Sequence, residues 1–211
     1  MEWTEKYRPT TLADVRGNNK SVDELREWAK NWEEHREPAL VYGEPGVGKT
    51  SAVHALANDF DWEITELNAS DNRTADAVES VAGEASKSGT LTGKKHLIIL
   101  DEADNLHGNA DRGGSKAVTR IVKEASQPVV LIANEYYDMS NALRRACREI
   151  EFRNVSKRSI IPVLRDICKR EGIEFEKKAL GDIAENNSGD LRGAINDLQA
   201  VAEGREKITE D

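Results

Sequence analysis

The sequence predicts an α/β domain with a central parallel five-stranded sheet, followed by a small three-helix domain. Three observations predict it. Five short apolar runs alternate with helix-forming stretches up to residue 152, a glycine-rich turn directly follows the first run, and strand signals stop after Phe152.

Taken in order, Val22, Leu25, Ala29 and Trp32 recur at helical spacing, and Ser21 with Glu24 forms a Ser-x-x-Glu capping pattern, so a helix is expected from Lys20 to Trp32. Ala39 to Tyr42 reads as a strand ending at Gly43, and Lys49 to Asn58 as a helix. Further strands are expected at Trp62 to Leu67, Leu97 to Leu100, Val129 to Ala133 and Glu149 to Phe152, with helices around Thr74 to Ser86 and Ser115 to Glu124. Strands alternating with helices imply a parallel sheet covered on both faces. Beyond Phe152, three helical stripes follow: Ile160, Leu164, Ile167; Leu180, Ile183, Ala184; and Leu191, Ala194, Ile195, Leu198, Val201. Gly172 and Gly189 fall where C-terminal caps belong, and Pro162 fits a helix that begins near Ser159. A boundary near Asn154 is therefore expected, dividing 1–154 from 155–211.

Composition narrows the class. The chain has 211 residues, 38% hydrophobic and 33% charged, which excludes collagen-like and low-complexity chains and leaves enough apolar material for a core. Cys147 and Cys168 stand far apart with no partner at metal-ligand spacing, so a disulfide scaffold is excluded and a reducing compartment fits. The N-terminus lacks the apolar region of a secretory signal, and no apolar run approaches the roughly 18 residues of a membrane span. A cytoplasmic protein without a membrane partner is expected. The formal charge of -9 argues against general polyanion binding unless Lys and Arg cluster on one face, and suits a solvated surface in a salty cytoplasm.

The chemistry concentrates in four places. Gly43-Glu44-Pro45-Gly46-Val47-Gly48-Lys49-Thr50, followed by Ser51, satisfies G-x-x-x-x-G-K-[ST] between an expected strand and an expected helix. Glycines let consecutive amides turn toward one anion, and the helix N-terminus adds partial positive charge. Lys49 is expected to neutralise the β- and γ-phosphates of ATP, and Thr50 to offer its hydroxyl to Mg2+. The second place is His96 to Asp104, an apolar strand ending in acidic residues. Asp101 is expected to hold Mg2+, and Glu102 to activate a water for attack on the γ-phosphate. Third, Asn134 follows the run Val129 to Ala133, where it suits positioning that water or a phosphate oxygen. Fourth, Gly189-Asp190-Leu191-Arg192 opens the last helix. Arg192 faces away from the buried stripe, either solvated or reaching the nucleotide phosphates from the helical domain.

Together these motifs resemble the AAA+ ATPases, whose helical second domain is a lid. Glu5-Lys6-Tyr7-Arg8-Pro9, Asn68-Ala69-Ser70-Asp71 and Gly189 to Arg192 resemble, more narrowly, clamp-loader subunits, and the whole chain is similar to the large subunits of archaeal replication factor C. The resemblance implies that Tyr7, Arg8 and Pro9 lie against adenine, and that the partners are replication factor C small subunits, the sliding clamp and primer-template DNA. It also implies DNA replication as the process, with ATP as a conformational switch. Small subunits carry Ser-Arg-Cys before the last strand, where the arginine is a finger for a neighbour's ATP. Here the residues are Arg145-Ala146-Cys147, so the finger position is Ala146, flanked by Arg144 and Arg148. The resemblance further implies a helical collar and a clamp-binding tail, and the chain ends at Asp211 with neither. Because a finger supplied in trans is worth about 10³ to 10⁵ in rate in related phosphoryl-transfer systems, slow hydrolysis by this portion alone is expected. Lys116 and Arg120, after the glycine-containing stretch Asn109 to Gly114, are candidates for duplex contacts, and Thr74 to Leu91 for the clamp side. The rival expectations are a branch-migration motor, an origin-binding initiator, or a subunit that binds ATP without turnover.

Overall fold

In the computed structural model, residues 1–68, 93–106, 118–119, 122–123 and 126–209 are described. The first part contains α1 (Trp3–Lys6), α2 (Asn19–Lys30), α3 (Trp32–His35), β1 (Ala39–Tyr42), α4 (Lys49–Asp59), β2 (Glu63–Asn68), β3 (His96–Asp101), β4 (Val129–Ala133), α5 (Asn141–Ala146) and β5 (Arg148–Glu151). After it come α6 (Lys157–Glu171), β6 (Glu174–Phe175), α7 (Lys177–Asn186), α8 (Leu191–Ala202) and β7 (Lys207–Ile208). The expected helix around Thr74 to Ser86 lies outside the described residues. Of the stretch Ser115 to Glu124 only 118–119 and 122–123 are described, and they are helical.

β1 to β5 form one sheet in the order β2-β3-β4-β1-β5, every pair parallel. Strand alternation sends Leu97 and Ile99 to one face and Ile98 and Leu100 to the other, and all four are buried. The first face packs against α2 and α4 through Leu25, Trp28, Val53 and Leu56. The opposite face is closed by Val118, Val122, Met139 and Leu143. Because the strands run parallel, their C-terminal ends share one edge, and the order places the ends of β3, β4 and β1 side by side.

Several local expectations are corrected. Ser21 does not cap α2, whose N-cap is Asn18; it is buried inside the helix and its hydroxyl donates to the Glu151 carbonyl at the end of β5. The expected single helix to Trp32 breaks at Asn31, and Trp32 begins a separate short turn. Helix α6 starts at Lys157, two residues before the expected start, so Pro162 sits in its interior without an N–H for the Arg158 carbonyl. That costs about 3 kcal/mol, while burying each of Ile160, Leu164 and Ile167 contributes roughly 1.5–3 kcal/mol, so the apolar stripe wins. Gly172 does cap α6 in a left-handed conformation, whereas the cap of α7 is Asn187, and Gly189 serves instead as a close-approach point. A Cβ there would meet Asn154, and the Gly189 carbonyl accepts the Val155 N–H at 3.0 Å. The region after Phe152 is also not all helix, because β6 and β7 pair in parallel; strands of two residues carry no periodicity to detect.

Both cysteines are buried and free, and burial pushes the Cys147 thiol up to about 12 and Cys168 to about 11, as expected of inert core thiols. Among the described residues no helix is long and apolar enough to cross a membrane.

Candidate nucleotide site

The turn between β1 and α4 is shaped by two glycines where a side chain would collide with a neighbouring segment. A Cβ on Gly43 would fall onto the Phe152 carbonyl oxygen, and one on Gly46, at φ 74°, onto the Asp190 carboxylate. Lys49 opens α4 at the end of this turn. Its side chain is 5% exposed, and Nζ donates to the Gly43 carbonyl at 2.6 Å, the Glu44 carbonyl at 2.8 Å and Asn134 Oδ1 at 2.9 Å. Burial pushes the ammonium down to about 8, against the opposing pull of Asp101 and Asp104. Three neutral oxygens therefore solvate a cation held at the mouth of an anion-shaped turn.

The end of β3 supplies the acids. Asp101 Oδ2 accepts from the Thr50 hydroxyl at 3.3 Å, and Oδ1 accepts the Glu102 N–H at 2.8 Å. Burial raises the Asp101 carboxyl above its ordinary value, opposed by those two bonds. Glu102 takes a left-handed backbone conformation, φ 53°, uncommon for a non-glycine residue, and the chain turns sharply after the strand. The Thr50 hydroxyl and Asp101 carboxylate are hard oxygen donors within bonding distance of each other, which fits Mg2+, an ion normally held by one or two protein oxygens plus phosphates and water. No group of three metal-ligating His, Cys, Asp or Glu side chains occurs among the described residues.

Asn134 lies between these elements because β4 lies between β3 and β1. Its backbone is fixed by Asp104, which is 7% exposed: Oδ2 accepts the Asn134 N–H at 3.2 Å and the Glu135 N–H at 2.9 Å, and Oδ1 has no hydrogen-bond partner among the described residues.

The helical region reaches this turn directly. Asp190 caps α8, accepting the Gly193 N–H at 2.8 Å, and the Leu191 and Arg192 N–H groups both donate to the Gly46 carbonyl at 3.1 and 3.3 Å. Arg192 is exposed, faces the same cleft as Lys49, and its charge also acts to lower the lysine.

A cleft of about 630 Å³ joins these groups. It brings together Tyr7, Arg8, Pro9, Pro45, Gly46, Gly48, Lys49, Thr50, Ser51, Asp101, Glu102, Asn134 and Arg192 from the expected set. Gly43 and Glu44 act behind it through their carbonyls, and Val47 turns its side chain into the core. Lys116, Arg120, Asn109 to Gly114 and Thr74 to Leu91 lie outside the described residues. Ala146 is half-buried, Arg145 and Arg148 are exposed, and the Arg144 guanidinium stacks 4.7 Å from the Tyr136 ring centroid and contacts Asn141.

Four features of the cleft go beyond the sequence expectations. Glu66 lines the cleft beside Asp101 and pairs with His54 at 2.9 Å. Asp104 anchors the Asn134 backbone. Val15, Val163, Leu191 and Ile195 add apolar side chains to the lining of the cleft. Tyr7 is bonded to Glu171, far away in the chain. Only Asp104 left a sequence signal, as the second aspartate of Asp101-Glu102-Ala103-Asp104.

The ATPase family associated with various cellular activities (AAA) matches residues 39–154, and the RCF1/5-like AAA+ ATPase lid domain matches 162–202. The chain is 64% identical to a replication factor C large subunit of Haloarcula marismortui, covering 100% of this chain and 42% of that protein. It is 64% identical to the protein of that name from Halobacterium salinarum, covering 100% and 45%, and 52% identical to that of Methanosarcina acetivorans, covering 99% and 35%. The chain thus spans less than half the length of these curated relatives. Among solved structures, Thermotoga maritima RuvB R170A superposes with a TM-score of 0.78 at 19% identity, covering 96% of this chain and 70% of that one, a likeness of fold.

Proposed function

The chain belongs to the AAA ATPase family, and on that premise we propose that it is the ATP-binding and hydrolysing portion of a replication factor C large subunit, within the clamp loader that opens the sliding clamp and places it on primer-template DNA. The observation that carries the nucleotide reading is the convergence of Lys49, the Thr50–Asp101 pair and Asn134 at one sheet edge, with the start of α8 bonded to the same turn. The identity of 64% over the whole chain supports the narrower assignment.

Lys49 exchanges its three protein oxygens for oxygens of the β- and γ-phosphates, a gain because the new partners are charged. Thr50 and Asp101 hold Mg2+, which when bound neutralises charge on the phosphates. Glu102 accepts a proton from the attacking water, and Asn134, released from Lys49, orients that water or a γ-phosphate oxygen. Tyr7, Arg8 and Pro9, with the apolar side chains that line the cleft, take the adenine. Arg192 places its guanidinium on the phosphates, which ties 155–211, acting as the lid, to the state of the nucleotide held by 1–154.

With Ala146 where a finger would stand, the chain receives a finger rather than giving one, and turnover is slow until a neighbour supplies an arginine worth about 10³ to 10⁵ in rate. Small subunits, the sliding clamp and primer-template DNA are the partners of this reading, with Lys116 and Arg120 toward the duplex, and the cytoplasm is its place of action. Mixing the chain with small subunits, clamp and primed DNA tests it. ATP hydrolysis at least about tenfold above the sum of the components is expected, and hydrolysis equal to that sum contradicts the loader assignment.

A further inference from the structure

The N-terminal arm is anchored on the helical domain. The Trp3 N–H donates to Gln199 Oε1 at 2.7 Å, and Lys6 Nζ and the Tyr7 hydroxyl both donate to one oxygen of Glu171, each at 2.6 Å. Glu171 is the last residue of α6, and the neighbouring Arg170 guanidinium lies 5.7 Å from the Tyr7 ring centroid. A few residues later the chain is fixed to the other domain instead: the Thr10 carbonyl accepts from Asn58 Nδ2 at 3.1 Å, and the Leu12 N–H donates to Asp59 at 3.0 Å, both at the end of α4. Residues 7–9 therefore cross the cleft as a strap, and Tyr7 lines it alongside Val163 and Ile195.

We infer that Glu171 is a positioning residue for nucleobase recognition, holding the Tyr7 ring at the base end of the cleft from the α6 side. The inference rests on the reading of Tyr7 as an adenine contact. The hydroxyl oxygen of a tyrosine lies on the axis of the second side-chain torsion, so a bond at the tip fixes the direction of that axis, and with it the first torsion and the place of the ring. Burial and the Glu171 carboxylate keep the phenol protonated, and the Lys6 and Tyr7 bonds keep Glu171 ionised, so this donor and acceptor hold their roles at neutral pH. The phosphate end of the cleft is built by other residues, so loss of the bond weakens base recognition and leaves phosphate recognition untouched.

The test is titration of the chain with Mg·ATP, Mg·GTP and Mg·tripolyphosphate, which lacks a base. Glu171→Ala should weaken ATP about threefold to tenfold, as expected for one hydrogen bond, narrow the preference for ATP over GTP, and leave tripolyphosphate unchanged. Tyr7→Phe, which keeps the ring and removes the hydroxyl, should give the same loss, with no additional loss in the double variant. Equal weakening of ATP and tripolyphosphate by Glu171→Ala, or unchanged ATP binding, overturns the positioning role. Tyr7→Ala separates the two layers. If it leaves the preference for ATP over tripolyphosphate intact, the adenine reading itself is wrong; if it abolishes that preference while Glu171→Ala does not lower it, only the role of Glu171 falls.

Discussion

Asn134 accepts a 2.9 Å hydrogen bond from Lys49, so the strand-end amide and the phosphate-loop lysine hold each other at the mouth of the turn. Both are proposed to bind phosphate or the attacking water, so nucleotide entry must break this bond. Asn134→Ala should change ATP affinity less than about threefold, because Lys49 keeps two carbonyl partners, yet lower the maximal rate roughly a hundredfold. Steady-state hydrolysis in the presence of small subunits, beside a binding titration, separates these effects.

The same lysine sets a pH dependence. Burial brings it to about 8, so the charge that attracts phosphate is present below that value and lost as pH rises through it. Phosphate contact favours the ammonium, so binding takes up a proton above pH 8. Affinity for Mg·ATP should fall by up to about tenfold per pH unit between roughly pH 8 and 10, and Lys49→Arg should flatten that slope. Affinity independent of pH over this range contradicts the assignment of the titration to Lys49.

Glu102→Gln keeps the shape of the side chain and removes its capacity to take a proton. ATP should bind within about twofold of the parent, while turnover falls by about 10² to 10⁴. Single-turnover hydrolysis checks this, and a rate near the parent's would assign the base elsewhere.

Gly46 and Asp190 meet where α8 touches the phosphate loop. Gly46→Ala should destabilise the protein by about 1–3 kcal/mol through left-handed strain and the approach of its new methyl group to the carboxylate. Asp190→Ala alone should cost about 1 kcal/mol as the lost cap of α8. The double variant should lose less than the sum, because removing the carboxylate makes room for the methyl group. Thermal or urea unfolding of the four proteins completes the cycle; strict additivity would show that the two sites do not touch.

Asp104→Ala strips two backbone N–H groups of their shared acceptor and should cost about 1–3 kcal/mol, with a fall in turnover like that of Asn134→Ala. Asp104→Asn, whose amide oxygen still accepts, should recover most of the activity. Comparison of the two variants by unfolding and by hydrolysis tests whether Asp104 acts by holding the Asn134 backbone.

What was legible in the sequence was local. The phosphate loop is one contiguous segment whose residue types follow from the bend it makes, and Asp101, Glu102 and Asn134 each end an apolar run. Parallel strands then bring those ends together without further information. What was illegible was tertiary. Asp104 serves a loop on the neighbouring strand, the bond from Tyr7 to Glu171 spans most of the chain, and the apolar lining of the cleft draws Val15 from before α2 and Val163 and Ile195 from α6 and α8. Ser21-x-x-Glu24 carried a capping signature that burial against β5 overrode, and β6 and β7 are too short to carry a pattern.

In the proposed function the turn ahead of Lys49 grips a triphosphate through that lysine. Calorimetric titration of Mg·ATP into the parent chain and into Lys49→Ala tests it most directly, with unfolding midpoints confirming that both are folded. Saturable binding by the parent, and binding weakened by at least about a hundredfold in the variant, is the predicted result. Equal affinity in the two proteins would contradict the account.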